Sequence, residues 1–210
     1  MRESEFKYDE LLERAYFRDD SAVFFKTRDM YGELSNMASG FPLHVNGLKV
    51  PSVEALYQAC RFPHLPHVQR IIIAQSSPMT AKMKSKPFKG ETRDDWEFVR
   101  VPIMKWCLRL KLAQHFDRFS YLLLATGNKS IVEQSRKDKF WGATPEDGGE
   151  VLRGCNVLGR LLMELRERVK EDPTRFGTVV PVPIESFCLF GEPIRPVQKD
   201  DAFALSHRLT

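Results

Sequence analysis

The chain reads as a mainly α, α+β protein: a compact multihelical domain with one small β-hairpin or sheet element. Three observations carry that expectation. Most of the length repeats apolar residues at helical spacing. One Asn-Gly pair, Asn46-Gly47, separates two short β-prone runs, a strong hairpin signal. The 210 residues are 42% hydrophobic and 29% charged, which suits one domain with extensions and a core of real size.

In chain order, residues 8–18 read as a short amphipathic helix, with Leu11, Leu12, Ala15 and Tyr16 on one side. This gives a helical extension over 1–22, ahead of a main domain over 23–170 and a proline-rich arm over 171–210. Val23 to Lys26 reads as a strand and Tyr31 to Asn36 as a turn. The runs Phe41 to Val45 and Leu48 to Val50 form the hairpin that leads into a helix starting near Ser52. A second helix is expected over 67–75 with Ile71 and Ile72 inward. A third runs from Ser77-Pro78 to about Ser85, with a capping serine and a proline at the first helical position. Asp94-Asp95-Trp96 opens a long helix to about Phe116, and Pro102 predicts an early break between Phe98 and Pro102. Tyr121 to Ala125 continues helical and stops at Gly127. Ser130 to Gln134 reads as extended, Asp138 to Gly154 as a polar loop, and Asn156 to Arg166 as the clearest amphipathic helix. Beyond Glu171 the five prolines Pro173, Pro181, Pro183, Pro193 and Pro196 predict an arm that wraps the domain or meets a partner.

Composition removes several classes of function. No apolar run approaches the ~20 residues of a membrane span, and Met1 to Glu5 lacks the basic start and apolar core of a secretory signal. Cys60, Cys107, Cys155 and Cys188 are widely spaced, so reduced thiols in a cytoplasmic protein are expected rather than a disulfide framework or metal site. The five histidines show no ligand spacing. A net charge of +4 with a pI near 8.9 permits an anionic ligand without identifying a nucleic-acid binder.

Within Pro51 to Phe62, Val53, Leu56, Tyr57 and Cys60 fall on one helical face, and Glu54, Gln58 and Arg61 on the other. Ser52 is a natural N-cap, so Glu54 reads either as an acid favouring the helix dipole or as a functional carboxylate. What favours the second is an ordered set of short motifs: Phe24-Phe25, Tyr31 to Asn36, Pro51 to Glu54, Tyr57-Gln58-Ala59, Ser77-Pro78, Trp96, Met104-Lys105, Leu123 to Gly127, Val132-Glu133, Asp138 to Gly142 and Gly154 to Gly159. From about Val23 to Arg168 this pattern resembles the NADAR family, the YbiA-like proteins.

The resemblance implies a compact, mainly helical domain with a small β element and a site for ligands of the NAD or ADP-ribose type. It also implies an N-glycosidase, expected here to act without a cofactor and, from the histidine spacing, without a metal. By matching position it carries over Asn36, Glu54, Trp96, Lys105, Asp138, Trp141, Gly142 and Asn156, and Gln58 joins them from the polar face of the Glu54 helix. Three departures mark this chain. Ala55 stands where the family commonly has an imidazole, Ser85-Lys86 where a glycine precedes a basic residue, and Thr144 where a glycine is frequent.

Breaking an N-glycosidic bond builds positive charge on the ribose and sends electrons to the departing nitrogen. Two carboxylates in different environments can divide that work. Glu54 is expected beside C1′, stabilising the oxocarbenium-like state or activating water, and Asp138 as the second acid or as a group orienting a ribose hydroxyl. Trp96 and Trp141 read as stacking surfaces or as core, whereas Trp106 lies on an apolar stripe. Lys105 reads as a phosphate contact or a snorkelling surface lysine. Asn156 reads as the cap of its helix, a role compatible with a ligand contact. The run Lys82, Lys84, Lys86 and Lys89 is a solvated face or an anion contact.

The expected partner is therefore a nucleotide-type small molecule, ADP-ribose or a phosphoribosylamine, or an ADP-ribosylated nucleic acid, with no membrane involved. The leading expectation is cleavage of an ADP-ribose-linked substrate such as ADP-ribosylated guanine. The alternatives are phosphoribosylamino-pyrimidine intermediates of riboflavin synthesis, a binding module without turnover, and an interaction protein that works through its arm.

Overall fold

The computed structural model describes residues 12–146 and 148–200. In chain order the elements are β1 (Arg14–Phe17), β2 (Ser21–Phe24), β3 (Leu43–Val45), β4 (Leu48–Val50), α1 (Val53–Ala59), α2 (Pro66–Ile73), α3 (Pro78–Ser85), α4 (Trp96–Gln114), α5 (Phe116–Leu124), β5 (Ser130–Glu133), β6 (Thr144–Pro145), β7 (Val151–Gly154), α6 (Val157–Glu171), β8 (Thr178–Val179), β9 (Cys188–Leu189), β10 (Glu192–Pro193) and β11 (Val197–Gln198). This is the α+β architecture expected, with the helices building the core and the strands in small groups.

Helix α1 lies at the centre. All seven of its residues are buried, and it packs against α2, α3 and α4. Helix α4 carries most of the remaining core through Ile103, Cys107, Leu108, Leu110 and Leu112, while α5 and α6 close the other side. The hairpin β3–β4 turns at Asn46 (φ 52°) and Gly47 (φ 75°), the left-handed pair that such a turn requires. Strand β5 pairs in parallel with β2 and carries Ile131, Val132 and Glu133 in beneath α6.

Several local expectations are corrected. The helix over 8–18 begins outside the described residues, and in the described part Arg14–Phe17 is a strand, antiparallel to β7. Only Tyr16 of β1 is buried, against Val132, Ala143 and Leu152. Spacing at i and i+4 suited a helix, but pairing with residues 151–154 prevails. The loop over 138–154 contains β6 and β7, which join β1 in a three-stranded sheet. Helix α4 runs unbroken through Pro102, and the carbonyl that loses its donor there belongs to Phe98, an exposed residue. On α2, Ile72 is buried but Ile71 is exposed; Val68 and Ile73 complete the inner face.

The proline-rich segment lies along the domain. Val179, Phe187, Leu189, Ile194 and Val197 are buried in the main core. Gln69 fastens it by donating to the Cys188 carbonyl at 3.0 Å and accepting from the Phe190 amide at 2.6 Å. Among the described residues no helix is long and apolar enough to cross a membrane.

Candidate active site

Ser52 starts α1 by accepting from the Ala55 amide at 3.2 Å, which places Glu54 in the first turn. Because neighbouring elements cover α1 all round, its polar face is as enclosed as its apolar one. Glu54 and Gln58 are each only 5% exposed. A carboxylate in such a setting needs donors. Gln58 Nε2 donates to Glu54 Oε1 at 2.8 Å, and the Lys82 ammonium from α3 stands 3.9 Å from the same oxygen. The Gln58 carbonyl oxygen accepts in turn from Arg61 Nη1 at 3.0 Å and Ser85 Oγ at 2.9 Å. Arg61 also donates to Thr92 Oγ1 at 2.8 Å. Burial lowers the Arg61 pKa, an effect opposed by the negative charge nearby, including that of Glu54.

The two candidate tryptophans meet across Tyr57, the residue between Glu54 and Gln58 on the next turn. The Tyr57 ring lies 5.2 Å from Trp96 and 5.7 Å, edge-on, from Trp141. Both tryptophans are half-buried, so each keeps accessible surface. The Arg61 guanidinium is 5.4 Å from the Trp96 ring, and Arg100 sits 3.7 Å from the ring of Phe140, which is itself edge-on to Trp141. Burial, then the charge of Glu54, holds the Tyr57 hydroxyl well above its usual range. Trp106, by contrast, packs in the core against Phe187.

Asp138 builds the turn that presents Trp141. Its Oδ1 accepts from the amides of Phe140 and Trp141, both at 2.9 Å, and its own amide donates to Ser135 Oγ at 2.9 Å. Gly142 is required for backbone packing: a Cβ there would stand 2.4 Å from the Glu133 carbonyl oxygen. The close approach it permits is to that carbonyl.

Two candidates have different surroundings from those expected. Asn156 makes no capping hydrogen bond; it is fully buried with φ 48°, and both ends of its amide clasp β5. Its Nδ2 donates to the Ile131 carbonyl at 2.8 Å and its Oδ1 accepts from the Glu133 amide at 3.2 Å, which leaves no part of it facing a ligand. Lys105 ion-pairs with Glu164 of α6 at 2.8 Å, a carboxylate it shares with Arg168, so its ammonium is engaged on the α4–α6 seam. Asn36, 5% exposed, donates to Met104 Sδ at 2.8 Å and leaves its Oδ1 buried without a partner.

Glu133 is a candidate that sequence reasoning overlooked. It ends β5 and is half-buried, so its carboxyl keeps accessible surface. Burial, reinforced by the charges of Glu54 and Asp138 and opposed by Lys82, raises its pKa from 4.5 to about 7. The available signal was an ionisable residue closing the apolar run Ile131-Val132. Tyr57, Arg61 and Ser85 were likewise left out.

An open cleft of about 530 Å³ lies beyond Thr92, lined by His64, Arg93, Asp95 and Glu185 among others. Its lining contains none of Glu54, Glu133 or Asp138, so those carboxylates lie outside this cleft. Among the described residues no group of three or more His, Cys, Asp or Glu is placed to hold a metal ion.

Residues 23–170 match the NADAR domain. The chain belongs to the NADAR family. Within it, the chain is similar to N-glycosidase YbiA of Escherichia coli (strain K12), with 38% identity over 155 residues that cover 72% of this chain and 90% of that protein. It is also similar to the riboflavin biosynthesis protein PYRR, chloroplastic, of Zea mays, with 33% identity over 160 residues covering 70% of this chain and 25% of that one. The NMR structure of E. coli YbiA superposes with a TM-score of 0.62 at 35% identity, covering 74% of this chain and 89% of that chain. The NADAR match thus takes in every candidate residue named above, from Asn36 to Asn156, and the YbiA structure shares the fold.

Proposed function

We propose that this protein is an N-glycosidase that hydrolyses the bond between ribose C1′ and a nitrogen, with an ADP-ribose-linked substrate such as ADP-ribosylated guanine as its target. The observation that carries the reading is Glu54: a carboxylate enclosed on α1, with Gln58 and Lys82 directed at one oxygen and two half-buried tryptophans one turn away. A fixed negative charge beside C1′ stabilises the oxocarbenium-like transition state more than the neutral ground state, which is the condition for rate enhancement. Trp96 and Trp141 offer flat surfaces for the base, and the free oxygen of Asp138 is available to a ribose hydroxyl. Lys82 beside Glu54, followed along the chain by the exposed Lys84, Lys86 and Lys89, suits a ligand with more than one phosphate. Residues 23–170 form the catalytic unit in this reading, and four cysteines that form no disulfide suit a reducing cytoplasm.

A second substrate class has its own support. The maize relative is named for riboflavin biosynthesis, so phosphoribosylamino-pyrimidines are the alternative target. The test is incubation with ADP-ribosylated guanine, a phosphoribosylamino-pyrimidine and NAD in isotopically labelled water, followed by mass analysis of the products. Release of the free base with one labelled oxygen on the ribose supports the enzyme and ranks the substrates. Tight binding of all three without cleavage would instead make the protein an ADP-ribose-binding module.

A further inference from the structure

We propose that Glu133 is the proton donor to the departing nitrogen, working opposite Glu54. This deepens the N-glycosidase reading and rests on it.

The placement comes first. Strand alternation puts Glu133 on the same side as Ile131, which belongs to the main core with α1, whereas Val132 faces the smaller cluster around Tyr16. Its carboxyl is therefore directed from the end of β5 toward the α1 side. The backbone that carries it is fixed on both sides: its amide donates to Asn156 Oδ1 at 3.2 Å, and its carbonyl accepts from the Ala143 amide at 2.8 Å, with Gly142 closely packed against it. Catalytic groups need such rigid support.

The surroundings come second. The charged groups facing it are Glu54 from α1, Lys82 from α3 and Asp138 from the turn after β5. Among the described residues the Glu133 carboxyl forms no ion pair and accepts no hydrogen bond, so this half-buried acid is not committed to a structural partner. Two of its three charged neighbours are negative, an arrangement that favours the protonated acid. Its pKa of about 7 is consistent with that and lies near the value an acid needs at neutral pH. Asp138 has a different task in the fold, because its Oδ1 accepts the amides of Phe140 and Trp141 and so shapes the turn that presents Trp141.

The step balances as follows. The C1′–N bond breaks with its electron pair going to nitrogen, and that nitrogen takes the proton of the Glu133 carboxyl. Water adds to C1′, forming the C1′–O bond, and gives its proton to the Glu54 carboxylate. Proton transfer from Glu54 back to Glu133 through water restores the starting state.

The test is the pH profile of kcat/KM on the preferred substrate for wild type, Glu133→Gln and Glu133→Asp, with thermal melts to establish that each variant folds. Wild type should lose activity as pH rises through about 7. Glu133→Gln should fall by about 10²–10⁴-fold and lose that alkaline limb. Glu133→Asp should keep a limb at an altered pH. An activity-independent readout is NMR of isotope-labelled glutamate carboxyls: the resonance missing from Glu133→Gln should titrate near pH 7 and move to lower pH in Glu54→Gln. Near-full activity with an unchanged limb in Glu133→Gln, or no such titration, overturns the proposal and leaves the N-glycosidase reading standing. Absence of turnover on every ribosylated substrate removes that reading and the proton donor with it.

Discussion

Gln58 sits one helical turn beyond Glu54 on α1 and donates to its Oε1 at 2.8 Å. The same side chain accepts from Arg61 and Ser85, so one amide ties the carboxylate to α3 and to the residue beside Trp96. Gln58→Leu should leave the buried Glu54 oxygen and the Arg61 Nη1 without that partner, a loss of about 1–3 kcal/mol. The expected result is a lower melting temperature together with a roughly tenfold or greater loss of kcat/KM. A variant that melted lower yet kept full kcat/KM would limit Gln58 to a structural role.

Asn156 should matter through β5 rather than through ligand contact. Asn156→Ala removes the partners of the Ile131 carbonyl and the Glu133 amide and places at positive φ a residue that tolerates the left-handed region less well than Asn, together about 1–3 kcal/mol. Kinetics should show kcat falling more than KM rises, because the displaced group is Glu133. A pure KM effect would return Asn156 to the ligand-binding set.

Glu133 also makes stability depend on pH. Its carboxyl has a pKa of 4.5 when unfolded and about 7 when folded, so between these values the folded state binds more protons and stability falls as pH rises. Glu133→Gln removes that dependence, and its stability relative to wild type should increase by roughly 1–3 kcal/mol from the acid to the neutral end of the window. Chemical denaturation across the window checks the sign.

Lys111 supplies a contrasting case. It has no exposed surface, donates to the carbonyls of Glu33 at 2.7 Å and Ser35 at 3.1 Å, and lies 4.2 Å from the Phe41 ring. Burial pushes its pKa well below the ordinary lysine value of 10.5. The unfolded chain then binds the extra proton between the depressed value and 10.5, so this group makes stability rise with pH in that window. Lys111→Met should abolish the rise, lose about 1–3 kcal/mol through the two unpaired carbonyls, and loosen the turn that carries Asn36. Denaturation curves at neutral and alkaline pH separate these effects.

What was legible in the sequence was local. The hairpin needed only Asn46-Gly47, and the starts of α1 and α3 needed only Ser52 and Ser77-Pro78. What was hidden required distant partners. Strand β1 exists because residues 14–17 pair with residues 151–154, and Asn156 clasps β5 because its left-handed backbone directs it there. Glu54, Gln58, Trp96 and Trp141 were named in advance and come together around Tyr57. Glu133 was passed over because its chemistry depends on Glu54, Lys82 and Asp138 converging from three other segments, which no window of sequence contains.

The most direct measurement is single-turnover cleavage of the preferred ribosylated substrate by wild type and Glu54→Gln, a change that keeps shape and removes charge. The expected result is a folded variant that still binds substrate but cleaves it about 10²–10⁴-fold more slowly. Cleavage at the wild-type rate by folded Glu54→Gln would contradict the role given to this carboxylate.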